Sequence, residues 1–288
     1  MAERYAVGNG DWSDTGTWNG GTLPGASDTV HCNNFTVAID QDITVTEITT
    51  SAGSTAVSGG GCTLSGSGDR AINAILRGGV GNVVRVTGWS SGGTLTITGD
   101  VFGGSGSSRA IWGTGGVYNL VITGDITGGT GNTTPAVEIT SGITSLVVNG
   151  DVFGGSDPIS YGIKVGTDSV TINGDVTGGG SQSGSQGMIL TQVSGTTCVV
   201  TGSAIAGTSR YTAAIRNEGN TTCVVGHIVY SQDASNAAAV NPPLDGRCFR
   251  IAAGGTITMR DSDGIDQTFT SGGGGGIQIA RGMNGGMR

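Results

Sequence analysis

The sequence has only one lysine, Lys164, and lacks any apolar run long enough to cross a membrane. A membrane-spanning helix needs about 20 consecutive, mostly apolar residues, so no membrane insertion is expected. Lysine and arginine number 13 against 21 aspartate and glutamate residues, which leaves a net charge of −8. Along the sequence no basic stripe is visible that could neutralise phosphates, so we do not expect nucleic-acid binding.

Enzymatic motifs are also missing. The two histidines, His31 and His227, lie far apart, and neither an H-E-x-x-H, a G-x-S-x-G nor a Walker lysine occurs. We therefore assign no catalytic residue, no metal ligand and no cofactor. Five cysteines are an odd number and include no C-x-x-C spacing, which argues against a disulfide framework and predicts five free thiols. Residues Met1–Tyr5 open no apolar signal core, so no Sec-type export is expected.

The chain contains a repeated sequence motif, called here the Gly-Asp phrase. A Gly-Asp pair follows Thr or Asn and precedes Val or Ile at steps of 25, 26 and 24 residues. A fixed period of this size indicates one supersecondary unit stacked on itself. The repeated aspartates are Asp100, Asp125, Asp151 and Asp175.

Each phrase follows a short segment of alternating, β-branched-rich residues, and a second short strand falls about halfway round each repeat. Short strands separated by Gly, Ser, Asn and Thr turns predict an all-β fold, a right-handed parallel β-helix with coils of about 25 residues. We place a cap or attachment segment at residues 1–50, the β-helix at 51–260 and a glycine-rich tail at 261–288. The period predicts one interior row made of Leu95, Leu120, Leu146, Val170, Cys198 and Cys223.

The four repeated aspartates have two interpretations. Stacked carboxylates could bind Ca²⁺ or act as the acid and base of a glycan-cleaving enzyme. Alternatively, each aspartate is a turn residue whose side chain caps nearby backbone amides. Because all four occur at the same point of the repeat, the turn interpretation is favoured. Catalysis usually needs one irregular site.

Two further groups of side chains are candidates. Cys198, Cys223 and Cys248 are each 25 residues apart, which predicts one interior column. A metal or redox column is one interpretation, but small side chains that fill a narrow core are favoured, and the column should be reduced and inert. Four aromatic residues could stack on sugar rings or belong to the core. They are Trp112, Tyr118, Tyr161 and Tyr211.

The amino-terminal segment carries a pattern W-x5-W-x-G-G-x-x-P-G-x-x-D-T-V. This pattern resembles the start of many bacteriophage virion proteins and of glycine-rich β-helical surface domains. The run of five glycines near the carboxyl end is similar to the polyglycine segments of phage tail-tip adhesins. The residues that carry the amino-terminal resemblance are Trp12, Trp18, Gly20, Gly21, Pro24, Gly25, Asp28 and Val30.

This resemblance implies a non-enzymatic structural protein of a phage particle. It would be a fibre, spike or adhesin used for host-surface attachment or for decoration of the capsid or tail. The alternative is a glycan-active β-helix enzyme, a polysaccharide depolymerase or lyase. The resemblance implies other virion proteins as partners, a homo-oligomer with a trimer favoured, and a host-surface glycan as a candidate ligand. The expected location is the virion, after synthesis in the host cytoplasm. The tail from residue 272 onward is expected to be ordered by contacts outside its own coil stack.

Overall fold

The computed structural model describes most of the coil stack. The described residues are 2–49, 62–78, 84–89, 92–104, 109–116, 118–130, 135–140, 142–156, 161–167, 169–179, 186–190, 197–205, 213–217, 222–229, 247–251, 256–260, 266–270 and 278–279.

Within these residues the secondary structure is almost entirely strand, and the helical parts are two 3-10 turns, Thr15–Thr17 and Asn19–Gly21. The strands are β1 Glu3–Tyr5, β2 Gly10–Asp11, β3 Thr29–His31, β4 Thr36–Ile39, β5 Ile43–Thr49, β6 Cys62–Gly66, β7 Arg70–Arg77, β8 Val84–Trp89, β9 Thr94–Thr98, β10 Val101–Phe102, β11 Ile111–Gly116, β12 Tyr118–Thr123, β13 Ile126–Thr127, β14 Pro135–Ile139, β15 Ile143–Asn149, β16 Val152–Phe153, β17 Tyr161–Val165, β18 Ser169–Ile172, β19 Val176–Thr177, β20 Gln186–Leu190, β21 Thr197–Ile205, β22 Ala213–Asn217, β23 Thr222–Val229, β24 Arg247–Ile251, β25 Thr256–Arg260, β26 Asp266–Thr270 and β27 Gln278–Ile279.

The strands form two long sheets that wind together as a β-solenoid. An 11-stranded sheet runs in the order β2-β4-β6-β8-β11-β14-β17-β20-β22-β24-β27. The other sheet has 16 strands, because each central coil contributes two short strands to it, such as β9 and β10 or β12 and β13. Pairing between successive coils is parallel, as in β12 with β15 and β14 with β17. The predicted parallel β-helix is confirmed.

Alternation of apolar and polar residues explains why each strand packs as it does. In β12 and β15 the alternate residues beginning with Leu120 and Leu146 are buried, and the residues between them face outward. Parallel register stacks equivalent residues about 4.8 Å apart along the axis. The predicted row is confirmed in its register, which continues from Leu95 through Leu120, Leu146, Val170 and Cys198 to Cys223. The first five of these side chains are fully buried.

The stack begins earlier than the expected boundary near residue 50. Strand β1 pairs in parallel with β3, and β2 pairs with β4. Trp12 and Trp18 are buried in this first part of the core and pack edge to face with ring centroids 4.8 Å apart. The segment with the two tryptophans is therefore built into the solenoid.

Both sheets end with antiparallel strands at the carboxyl end. Strand β26 pairs with β25, and the short strand β27 pairs with β24. In the tail, Gln278–Ile279 pair with β24 of their own chain. That ordering of the tail depends on contacts outside its own coil stack stays a prediction. The other residues from 272 onward lie outside the described residues. No helix among the described residues is long and apolar enough to span a membrane.

Candidate functional site

The repeated aspartates form a continuous ladder between the two short strands of successive coils. The Oδ1 atom of each accepts a hydrogen bond from a backbone N–H of the next coil. Asp100 accepts from Asp125 at 2.9 Å, Asp125 from Asp151 at 2.9 Å, and Asp151 from Asp175 at 2.8 Å. The last member, Asp175, accepts from the backbone of Ser203 at 2.7 Å. This is the capping geometry that the turn interpretation describes.

The glycine before each ladder aspartate is required by the backbone. Gly99 and Gly124 have φ angles of 144° and 145°, which side chains disfavour. A Cβ at Gly124 would collide with the carbonyl oxygen of Gly99, one coil below. The glycine thus allows successive coils to approach closely, and the aspartate caps a backbone N–H of the next coil.

The capping continues beyond the repeated phrase. Asp69 accepts from the backbone N–H of Thr94 and Asp42 from that of Ala71, each at 2.8 Å. Neither residue was predicted from the sequence as a capping residue. The signal that could have found them is an aspartate shortly before a strand, since neither carries the full Thr-Gly-Asp phrase.

The structure separates the four aromatic candidates. Trp112 and Tyr161 are half-buried and lie on different strands, β11 and β17. Tyr118 is fully buried, and its ring centroid lies 6.0 Å from that of Trp89. Of its two interpretations, the core residue is confirmed and the sugar-stacking residue is wrong. Burial raises the pKa of the Tyr118 hydroxyl, which has no hydrogen-bond partner among the described residues. Tyr211 lies outside the described residues.

A polar cluster that sequence analysis missed surrounds Trp112. Glu138 is only 4% exposed, yet its carboxylate binds both Arg109 and the amine of Lys164, the latter at 2.9 Å. The guanidinium of Arg109 also lies 5.1 Å from the ring centre of Trp112, a cation–π distance. The chain's single lysine was the one available signal for this cluster.

The same cluster belongs to a row that gathers cations from distant parts of the sequence. Register in the 11-stranded sheet aligns one residue of each coil from β8 to β24. These residues are Arg85, Trp112, Glu138, Lys164, Ile189, Arg216 and Arg250. Stacking thus aligns successive residues of the row that are 25 to 34 positions apart in the sequence.

The cysteines differ from expectation in two ways. Cys198 pairs in register with Cys223, but Cys248 lies on β24 in the other sheet, and the next residue of the row is Ile257. The expected three-cysteine column is wrong because the connection from β23 to β24 is longer than that from β21 to β22. The equal spacing of 25 residues therefore does not mark equal positions.

A disulfide joins Cys32 to Cys62 across 30 residues of sequence. Both residues are buried. The prediction of five free thiols is therefore wrong. Cys32 directly follows β3 and Cys62 begins β6, so the bond links neighbouring coils at the amino-terminal end of the stack.

Residues of the amino-terminal pattern hold the first coil in place by hydrogen bonds. Asp28 is buried and accepts hydrogen bonds from the backbone N–H groups of Gly25 at 3.0 Å and Ala2 at 2.9 Å, and from Arg4 at 3.2 Å. These bonds, led by that from Gly25, lower the pKa of Asp28 to about 2. The indole N–H of Trp18 donates to the backbone oxygen of Trp12.

Within the described residues, no group of three or more histidine, cysteine, aspartate or glutamate side chains is arranged to hold a metal ion. Comparison with models of known protein families, with curated protein sequences and with solved structures gives no significant match.

Proposed function

We propose that this protein is a non-enzymatic structural component of a bacteriophage particle, a β-solenoid fibre, spike or adhesin that serves host-surface attachment or decoration of the capsid or tail. The observation that supports this most strongly is the aspartate ladder. Its Oδ1 atoms accept hydrogen bonds from backbone N–H groups of the following coil. The carboxylates that recur in the repeat therefore link successive coils of the rod.

The amino-terminal pattern supports the same proposal. The residues that resemble phage proteins are fixed at one end of the rod, where Trp12, Trp18 and Asp28 hold the first coil by packing and hydrogen bonds. A firmly held end suits a protein that is anchored there and extends outward. We propose other virion proteins as its anchoring partners and a homotrimer as its assembly, formed after synthesis in the host cytoplasm.

The test is the location of the protein on intact particles. An antibody against the solenoid, visualised by electron microscopy, is expected to label purified particles at fixed positions. Particles from a mutant phage that lacks the gene serve as the control. Label confined to the soluble fraction of the lysate would overturn the proposal.

A glycan-active enzyme on the same fold is the alternative. Incubation of the purified protein with host capsule or lipopolysaccharide, followed by measurement of new reducing ends or of unsaturated products, distinguishes the two. The proposal expects no release above the heat-inactivated control. Steady release that scales with protein concentration would establish the enzyme instead.

A further inference from the structure

One broad face of the solenoid carries no charged side chain. Strands β9, β12, β15, β18 and β21 stack in parallel, and their alternate residues point away from the core. These outward residues form three rows, which we call the uncharged face. The first row is Thr94, Asn119, Ser145, Ser169 and Thr197, the central row is Thr96, Val121, Val147, Thr171 and Val199, and the third row is Thr98, Thr123, Asn149, Asn173 and Thr201.

The lack of charge on this face matters because the chain as a whole is acidic. Its net charge of −8 makes two copies repel each other, and the repulsion is smallest where uncharged surfaces meet. The aspartate ladder lies at the border of the face, two residues beyond the third row, as Asp125 follows Thr123. Asp125 is exposed, so its carboxylate can remain in water when the face itself is covered.

The three rows differ in polarity as the parts of a protein interface do. Every residue of the central row is a valine or a threonine, so each presents at least one methyl group, and all five are half-buried. The two flanking rows consist of threonine, serine and asparagine, which carry hydroxyl and amide groups. An apolar centre with a polar rim and no charge at the centre is the usual composition of a contact between proteins.

Polar groups of the flanking rows already bond to one another along the stack. The side-chain amide of Asn173 donates to Oδ1 of Asn149 at 2.8 Å, and that of Asn149 donates to the Thr123 hydroxyl at 3.4 Å. In the first row, the Ser145 hydroxyl donates to Oδ1 of Asn119 at 2.8 Å. Covering these groups therefore leaves fewer hydrogen bonds unmade, which lowers the cost of removing water from the face.

The composition of the face also distinguishes between classes of partner. It has no aromatic ring on which a sugar could stack and no cation that could neutralise a phosphate. A coil spacing of about 4.8 Å and a strand rise of about 3.3 Å per residue give the face dimensions of about 24 by 20 Å. Three copies of it contribute about 1,400 Å², above the roughly 1,000 Å² that a specific assembly needs.

We propose that the uncharged face is the contact between copies of this chain, and that three parallel rods turn it toward a common axis along which their central rows meet. The inference rests on the proposed function, which includes the homotrimer, and it assigns the surface that forms it. Parallel rods place the three amino-terminal ends together, at the end that we propose is anchored.

The test measures the mass of the full chain by light scattering after size-exclusion chromatography. The wild type is expected at three times the chain mass of 28.4 kDa. The variant Thr96→Lys/Thr171→Lys sets like charges against each other in the central row and is expected to run as a monomer. Because its two lysines make the chain less acidic, the loss of assembly cannot come from greater overall repulsion.

The matched control is Thr127→Lys/Thr177→Lys. It makes the same change at two half-buried, outward threonines of β13 and β19, which lie outside the uncharged face, and it is expected to remain a trimer. Circular dichroism should show that both variants fold. If the face variant fails to fold, Val121→Ser/Val147→Ser replaces it, and this variant should need at least tenfold more protein to assemble.

A monomeric wild type, a face variant that assembles like the wild type, or equal losses in the face variant and the control would each overturn the proposal. So would a monomeric wild type whose incorporation into particles is abolished by the face variant, because the face would then bind another virion protein. Antibody label that persists on particles after any of these results would remove the interface assignment and leave the proposed function in place.

Discussion

Loss of the Cys32–Cys62 disulfide should weaken the amino-terminal coils by a calculable amount. The bond closes a loop of 30 residues. In the chain-entropy model such a cross-link lowers the entropy of the unfolded chain by about 12 cal/mol/K, which corresponds to about 3.6 kcal/mol at 25 °C. Both residues are buried, so reductant should reach them only after the surrounding coils open.

The assay compares oxidised wild-type protein with Cys32→Ala/Cys62→Ala in urea, followed by tryptophan fluorescence. Trp12 and Trp18 lie in the same part of the core and report on these coils. The double variant is expected to lose about 3 to 4 kcal/mol of unfolding free energy in the amino-terminal transition. The wild type should yield a Cys32–Cys62 linked peptide in non-reducing mass spectrometry. An unlinked peptide pair, or identical urea midpoints, would refute the reasoning.

Three further perturbations address the ladder and the first coil. Asp125→Ala should lower the free energy of urea unfolding by about 0.5 to 2 kcal/mol, because it removes a solvent-exposed capping acceptor. Asp125→Asn keeps an acceptor oxygen and should cost less, and equal costs would contradict the capping role. Gly124 and Gly68 both have positive φ angles, but only a Cβ at Gly124 would collide with a backbone carbonyl. Gly124→Ala should therefore lower the thermal unfolding midpoint more than Gly68→Ala, and calorimetry measures this order. The pKa of Asp28 is lowered to about 2, so its stabilisation is present above about pH 4 and is lost as pH falls toward 2. Asp28→Asn should flatten this acid dependence of the amino-terminal fluorescence, and an unchanged acid profile would argue against the Asp28 contacts.

The fold could be predicted from the sequence wherever the spacing of the repeat is regular. The Gly-Asp phrase recurs at almost constant steps, and each strand before it alternates, so the coil and the row from Leu95 to Cys223 followed from the period alone. Cys248 shows the limit of this reasoning. Sequence spacing counts residues in the turns as well as in the strands, so one longer connection moves a residue to the other sheet without changing its period.

The cation row and the disulfide were not visible in the sequence for a related reason. Arg85, Lys164 and Arg216 join one row only through register, and the number of residues between them varies with the turns. Cys32 and Cys62 meet because β3 ends near the point where β6, in the other sheet, begins, and no local pattern in the sequence indicates that contact. Partners that depend on turn length require the three-dimensional structure.

The proposed function requires that the chain forms a structural rod on a phage particle. Cryo-electron microscopy of purified particles tests this most directly. We expect rod-shaped density at the antibody-labelled positions, into which the solenoid fits with an axial coil repeat of about 4.8 Å. Particles whose density accommodates no such rod, while the protein remains in the soluble fraction, would contradict the proposed structural role.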